Sequence, residues 1–145
     1  MDEAPSAAPA ALSIFVADDD QFAGMVLESL ITSLDCSATL FESGEECLFA
    51  FKEETFRASP CHILLLDMEL GDMTGIEVLN QLNNDDRPWI SGLRIIMVSG
   101  HAPDDDTIQL LRERGVHDYW EKPVSIEQLR TLRDDHAAVL SSVTS

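Results

Sequence analysis

Base is scarce in this chain. Nine Lys and Arg stand against 27 Asp and Glu in 145 residues, a formal net charge of −18. A surface of that sign repels phosphate backbones and anionic bilayers, which argues against nucleic acid and membrane surfaces as partners of this domain. It favours cationic partners, metal ions included. Cysteine is scarce as well: Cys36, Cys47 and Cys61 are an odd count with no C-x-x-C spacing. That argues against a disulfide framework and for buried thiols in a reducing compartment. His62, His101, His117 and His136 are scattered and match no metal spacing. No apolar run is long enough to span a bilayer. The first residues, MDEAPSAAPAA, carry acid where a secretory leader needs base, and no apolar stretch follows. The expectation is a cytoplasmic protein with a disordered Ala/Pro-rich tail over 1–11, one domain over 12–140 and a short C-terminal tail over 141–145.

What is present is a strict alternation of two periodicities. Leu12 to Ala17 reads as a buried strand. Residues 21–34 follow with Phe22, Met25, Val26, Leu30 and Leu34 expected on the inward helical face. Ala38 to Phe41 is a second strand. Ser43 to Glu46 is a capping-box pattern that opens a helix with Cys47, Leu48 and Phe51 inward. A loop over 55–60 leads to a third strand over 61–66. Thr74 to Glu77 is a second capping box, before Ile76, Leu79 and Leu82. A loop over 83–92, with Trp89 as a packing anchor, leads to Leu93 to Val98. Asp104 to Asp106 cap and charge a helix with Ile108 and Leu111, which stops near Gly115. Val116 to Trp120 is the fifth strand. Ser125 to Gln128 opens the last helix, with Ile126, Leu129, Leu132, Val139 and Leu140 inward. Five strand–helix pairs imply an α/β fold with a doubly wound parallel sheet and right-handed crossovers. The continuously apolar strands one, three and four suit central positions, buried on both sides.

In such sheets ligands sit beyond the carboxyl ends of the strands. Strand one ends in Asp18, Asp19 and Asp20, strand three in Asp67, strand four in Ser99, and strand five in Lys122 and Pro123. Asp18, Asp19 and Asp67 would crowd together, and a divalent cation relieves the repulsion. Mg²⁺ takes oxygen ligands and keeps several waters, which suits such a cluster. Lys122 adds positive charge and Ser99 a hydroxyl. The set is poor for proteolysis or redox chemistry and good for moving a phosphoryl group onto a carboxylate nucleophile.

The stretches "IFVADDD", "ILLLDMELGDMTGIEVL", "IIMVSGHA" and "DYWEKPV" resemble the receiver domain of two-component response regulators, over about residues 12–140. The resemblance implies a flavodoxin-like (βα)5 fold with strand order 2-1-3-4-5. It implies that Asp67 is the phosphoacceptor, that Asp19 is a direct Mg²⁺ ligand, and that Asp18 acts on the metal mainly through water. Glu69 gives the metal its backbone carbonyl. Ser99 and Tyr119 are the switch pair, and Lys122 contacts the phosphate, with Pro123 following in cis. The implied partners are a histidine kinase or histidine phosphotransfer protein as donor and a downstream protein target. Arg112, Arg114 and Tyr119 fall on the family's usual output face. The chain departs from the family at Gly71, where proline is common and a looser loop follows. It departs also at Thr74, where aspartate is common, and at Gly100, where alanine is usual. Glu69 and His101 occupy positions that tune phosphate lifetime.

Singly, each residue has a plainer role. Asp18 to Asp20 could cap a helix, Asp67 and Ser99 could be turn residues, Lys122 a solvated cation and Pro123 a strand stop. All four strand ends would have to be coincidences together. Of the competing activities, a haloacid-dehalogenase-type phosphatase needs a second Asp two residues after the nucleophile, where this chain has Glu69. A flavin carrier needs a Ser/Thr/Gly-rich first loop, where this chain has "ADDDQFAG". With no effector segment after residue 140, a stand-alone receiver is expected, signalling through a partner or by relaying its phosphate. It catalyses only its own modification. A receiver cut from a hybrid kinase is the alternative, against which Met1 favours a natural start.

Overall fold

A computed structural model describes residues 12–52, 63–85 and 92–144, with side chains to residue 136 in the last helix. The readings on 1–11, Cys61, His62, Trp89 and the 55–60 loop, and the inward side chains of Val139 and Leu140, lie outside the described residues.

Strands and helices alternate: β1 (Ser13–Ala17), α1 (Gln21–Ser33), β2 (Ser37–Phe41), α2 (Gly44–Lys52), β3 (Ile63–Asp67), α3 (Gly75–Asn83), β4 (Arg94–Ser99), α4 (Asp105–Glu113), β5 (Asp118–Glu121) and α5 (Ile126–Thr144). All pairings are parallel, in the order β2-β1-β3-β4-β5. The expected fold is present. Two bounds differ. The fifth strand starts at Asp118 rather than Val116, because the Val116 amide bonds back to the Leu111 carbonyl of α4 and the ladder with β4 begins at Ile96 and Asp118. The last helix runs through the expected tail to Thr144.

Side-chain alternation builds two cores. Phe15, Ala17, Leu64, Leu66, Ile95 and Met97 face one way, against α2 and α3 and Leu111 of α4. Ile14, Val16, Ile63, Leu65, Ile96 and Val98 face the other, against α1 and α5. β3 is buried along its whole length, as a central parallel strand must be.

Helix starts follow their sequence signals. Thr74 and Glu77 form a full reciprocal box. Ser125 and Gln128 bond each other's backbone amides. Ser43 accepts from the Glu46 amide, while the Glu46 carboxylate reaches one residue further back, to the Glu42 amide. Asp104 caps α4.

The inward face of α1 is a correction. Leu34 is buried and Leu30 packs against the core as expected, but Phe22, Met25 and Val26 are 75%, 58% and 44% exposed, and the buried stripe runs through Gly24, Leu27, Ile31 and Leu34. That 3-4-3 spacing is a true helical stripe. Gly24 hides it, because glycine adds no apolar signal to the pattern.

Because every strand runs the same way, all carboxyl ends lie at one edge. The turns from α1 into β2 and from α4 into β5 lie at the other, with positive φ at Asp35 (63°) and Gly115 (90°).

Candidate functional site

Register assembles the site. Ala17 pairs with Leu66, so the next residues, Asp18 and Asp67, leave adjacent strands side by side. Both continue the α1/α5 parity set by Ile14 and Val16 and by Ile63 and Leu65. The carboxylate oxygens of Asp18, Asp19 and Asp67 lie within 4.8 Å of one another. Asp18 and Asp67 are buried, at 5% exposure each, while Asp19 is exposed. Asp20, the third acid of the run, turns away to cap α1, accepting from the Phe22 and Ala23 amides at 3.0 and 3.2 Å. The run thus divides its work: one acid starts the helix and two face Asp67.

Lys122 closes the cluster. Its backbone amide donates to the Ser99 carbonyl at 2.8 Å, which fixes it beside β4. Its Nζ lies 2.7 Å from Asp67 Oδ2 and 3.2 Å from Asp18 Oδ2. The Lys122–Pro123 peptide is cis. Burial pulls the Lys122 ammonium down, but the Asp67 hydrogen bond and the charges of Asp67 and Asp18 outweigh it, and its pKa is raised. Burial pushes the Asp67 carboxyl above its ordinary value. Hydrogen bonds from Lys122 and the Glu69 amide, and the Lys122 charge, pull it back without cancelling the rise.

One ammonium therefore serves three gathered carboxylates, and an acid pair is held out of water at a cost. An all-oxygen donor set that stays net negative beside Lys122 fits Mg²⁺. Asp18, Asp19 and Asp67 are the side chains that would hold it. Glu69 follows Asp67 directly enough that its amide donates to Asp67 Oδ1 at 3.0 Å.

Ser99 is buried at the end of β4, and its Oγ accepts from the His101 amide at 3.2 Å. The Tyr119 hydroxyl donates to the His101 carbonyl at 2.8 Å. The expected switch pair thus grips both ends of one residue, His101. Of the two adjacent β5 aromatics, Trp120 is the packed one, with its indole N–H on Asp118. Arg114 bonds Asn80 of α3 through its guanidinium, and its carbonyl accepts from Asn83.

The loop over 68–74 is tied down despite Gly71. The Met68 amide donates to the Val98 carbonyl and the Gly75 amide to the Met68 carbonyl, while Glu69 and Thr74 form an antiparallel bridge. Gly71 has φ +81° inside a three-residue turn closed by the Asp72 amide on the Leu70 carbonyl at 2.9 Å. Sequence reading missed where Asp72 goes. Its carboxylate bonds the amides of Gly44 and Glu45, 28 and 27 positions away. No local pattern marks such a contact.

A doubly wound sheet that brings these groups to one edge defines a receiver of two-component signalling. The chain belongs to the response regulator receiver domain family, whose model matches residues 14–133. It is 31% identical over 120 residues to the DNA-binding transcriptional regulator NtrC of Klebsiella pneumoniae, covering 83% of this chain and 24% of that protein. It is 29% identical over 116 residues to the response regulator protein TodT of Pseudomonas putida, covering 80% of this chain and 47% of that one. The chain thus spans less than half the length of these relatives. A CheY-like receiver domain from Methanospirillum hungatei JF-1 superposes with a TM-score of 0.72 at 22% identity, over 89% of this chain and 98% of that chain. Receiver domains as a class bind Mg²⁺, are phosphorylated by histidine kinases and act on downstream targets. The family match displaces the phosphatase reading. No described helix is long and apolar enough to cross a membrane.

Proposed function

We propose that Asp67 accepts a phosphoryl group from a phosphohistidine on a histidine kinase or a histidine phosphotransfer protein. The observation that carries this is a buried carboxylate at a strand end, 2.7 Å from a lysine and gathered with two further carboxylates. In the transfer an Asp67 oxygen forms the new P–O bond, the P–N bond of the donor breaks, and the released imidazole keeps the electron pair and takes up a proton. When bound at Asp18, Asp19, Asp67 and the Glu69 carbonyl, Mg²⁺ supplies charge neutralisation for the transferring oxygens. Lys122 holds Asp67 in place and carries a second positive charge to the phosphoryl group. The Ser99 hydroxyl accepts from the His101 amide and so keeps its own proton free to donate to a phosphoryl oxygen.

Drawing Ser99 toward phosphate would loosen its hold on the His101 amide, and the same residue's carbonyl holds Tyr119. Phosphorylation therefore biases the position of Tyr119 and the face made by α4, β5 and α5, where a downstream protein binds or from which the phosphate is relayed. The domain turns over no external substrate beyond its own modification. Phe22, Met25 and Val26 leave apolar surface at the site end of α1, which suits a protein donor.

Intact mass after incubation with Mg²⁺ and acetyl phosphate tests the reading. One phosphoryl adduct is expected on wild type, and none without Mg²⁺ or on Asp67→Asn. An adduct that persists on Asp67→Asn would sink the assignment.

A further inference from the structure

α2 has two caps, and one is borrowed. Ser43, its local cap, accepts from the Glu46 amide at 3.0 Å. The amides of Gly44 and Glu45 are served by Asp72, through Oδ1 at 2.9 Å and Oδ2 at 3.0 Å. Gly44 is buried and its amide needs a partner, but Glu45 is exposed and its amide could bond to water, so burial alone does not demand the second bond. Nor does charge favour it unaided, because Glu45 and Glu46 already occupy the first turn. The bidentate bonding holds the Asp72 carboxyl below the usual range, the Gly44 amide being the main cause. Met73 reinforces the joint. It lies across Gly44 so closely that a Cβ there would stand 2.4 Å from Met73 Cγ.

The other end of this joint is the carboxylate site. Between Asp72 and Glu69 stand buried Leu70 and the tight turn at Gly71. The Glu69 amide is bonded to Asp67. The tip also lies on the Asp19 side, since a Cβ on Gly71 would stand 3.2 Å from Asp19 Oδ2. A shift of Asp72 has two residues of tightly turned backbone in which to dissipate before it reaches Glu69.

We infer that Asp72 is a positioning residue: by fixing the loop tip to the start of α2 it holds the Glu69 peptide beside Asp67, and so couples cation binding at the carboxylates to order in the first turn of α2. The inference rests on the Mg²⁺ reading above and deepens it. Coupling of this kind is reciprocal, so the cation should be felt at α2 and the cap should be felt by the cation.

Mg²⁺ titration of the full chain, followed at backbone amides by NMR, reads both directions. In wild type the amides of Glu69, Gly44 and Glu45 should respond with one shared Kd. Asp72→Ala should weaken Mg²⁺ about tenfold, as loss of an outer-shell support does, and silence Gly44 and Glu45. Asp72→Asn keeps one carbonyl acceptor and should fall between; if Asp72→Ala fails to fold, it decides alone. Ser43→Ala frees the Glu46 amide but leaves the Asp72 bonds to Gly44 and Glu45 in place, and should lower the melting temperature while leaving the Mg²⁺ Kd within twofold. Asp72 variants that lose thermal stability yet keep the wild-type Kd would reduce Asp72 to a helix cap and overturn the inference. A wild type with no Mg²⁺ response at Asp18, Asp19 or Asp67 would overturn the metal reading itself, and the inference with it.

Discussion

Two loops flank the carboxylates, and each has a glycine where the family favours a bulkier residue. In the loop over 68–74, Gly71 sits at φ +81° and a Cβ there would press on Asp19 Oδ2. In the loop over 100–104, a Cβ on Gly100 would meet nothing within 4 Å. The first loop is held by backbone bonds to β4 and across itself, and by a carboxylate on α2. The second is held at His101 by two hydroxyls, those of Ser99 and Tyr119. Hydroxyls rotate and find new partners readily, and closed backbone turns do not. The pair teaches a division of labour: one side of the site keeps geometry, and the other is built to respond.

The same substitution at the two glycines gives the sharpest test. Gly71→Ala should cost about 1–2 kcal/mol, because an L side chain resists that φ, and it should weaken Mg²⁺ through Asp19. Gly100→Ala should stabilise by about 0.4–1 kcal/mol through the unfolded chain, having space and no positive φ to fight. Urea denaturation reads both, and equal effects would erase the distinction between the loops. A smaller change is expected from Tyr119→Phe, which removes one exposed hydrogen bond worth about 0.5 kcal/mol. Its clearer signature is faster amide exchange around His101, with phosphoryl adduct formation at Asp67 retained.

The smallest effect concerns acid. The Ile95 amide donates to His117 Nδ1 at 3.1 Å, just before the strand that carries Tyr119. Burial, helped by the charge of Arg94, lowers the His117 pKa below its ordinary 6.5. The unfolded chain therefore takes up this proton first. The contribution is complete above about pH 6.5 and is lost as pH falls through the folded value. Stability of wild type minus that of His117→Gln, measured across that window, isolates this contribution; a flat difference would remove His117 as its source.

Much of this was legible in the sequence, and the reasons are local. Capping boxes at Thr74 and Ser125 announce helix starts within four residues. Strands as apolar as Ile63 to Leu66 announce a central place in a parallel sheet. Their period of two, carried one residue past Ala17 and Leu66, is enough to bring Asp18 to Asp67. The inward face of α1 was not legible, because Gly24 carries no signal and Phe22, Met25 and Val26 carry a misleading one. The reach of Asp72 to Gly44 was not legible either. It spans 28 positions and depends on where two elements come to rest, which no pattern along the chain records.

The opposite edge of the sheet has a use of its own in engineering. The turns at Asp35 and Gly115 lie as far as the strands allow from every carboxylate of the site. Lengthening a loop there costs only about 0.6 kcal/mol per doubling and leaves the strand register intact. A reporter peptide or a fused domain spliced in at Asp35, in the turn that joins no element of the output face, would ride at that far edge, so that the molecule can be instrumented without touching what it is meant to report.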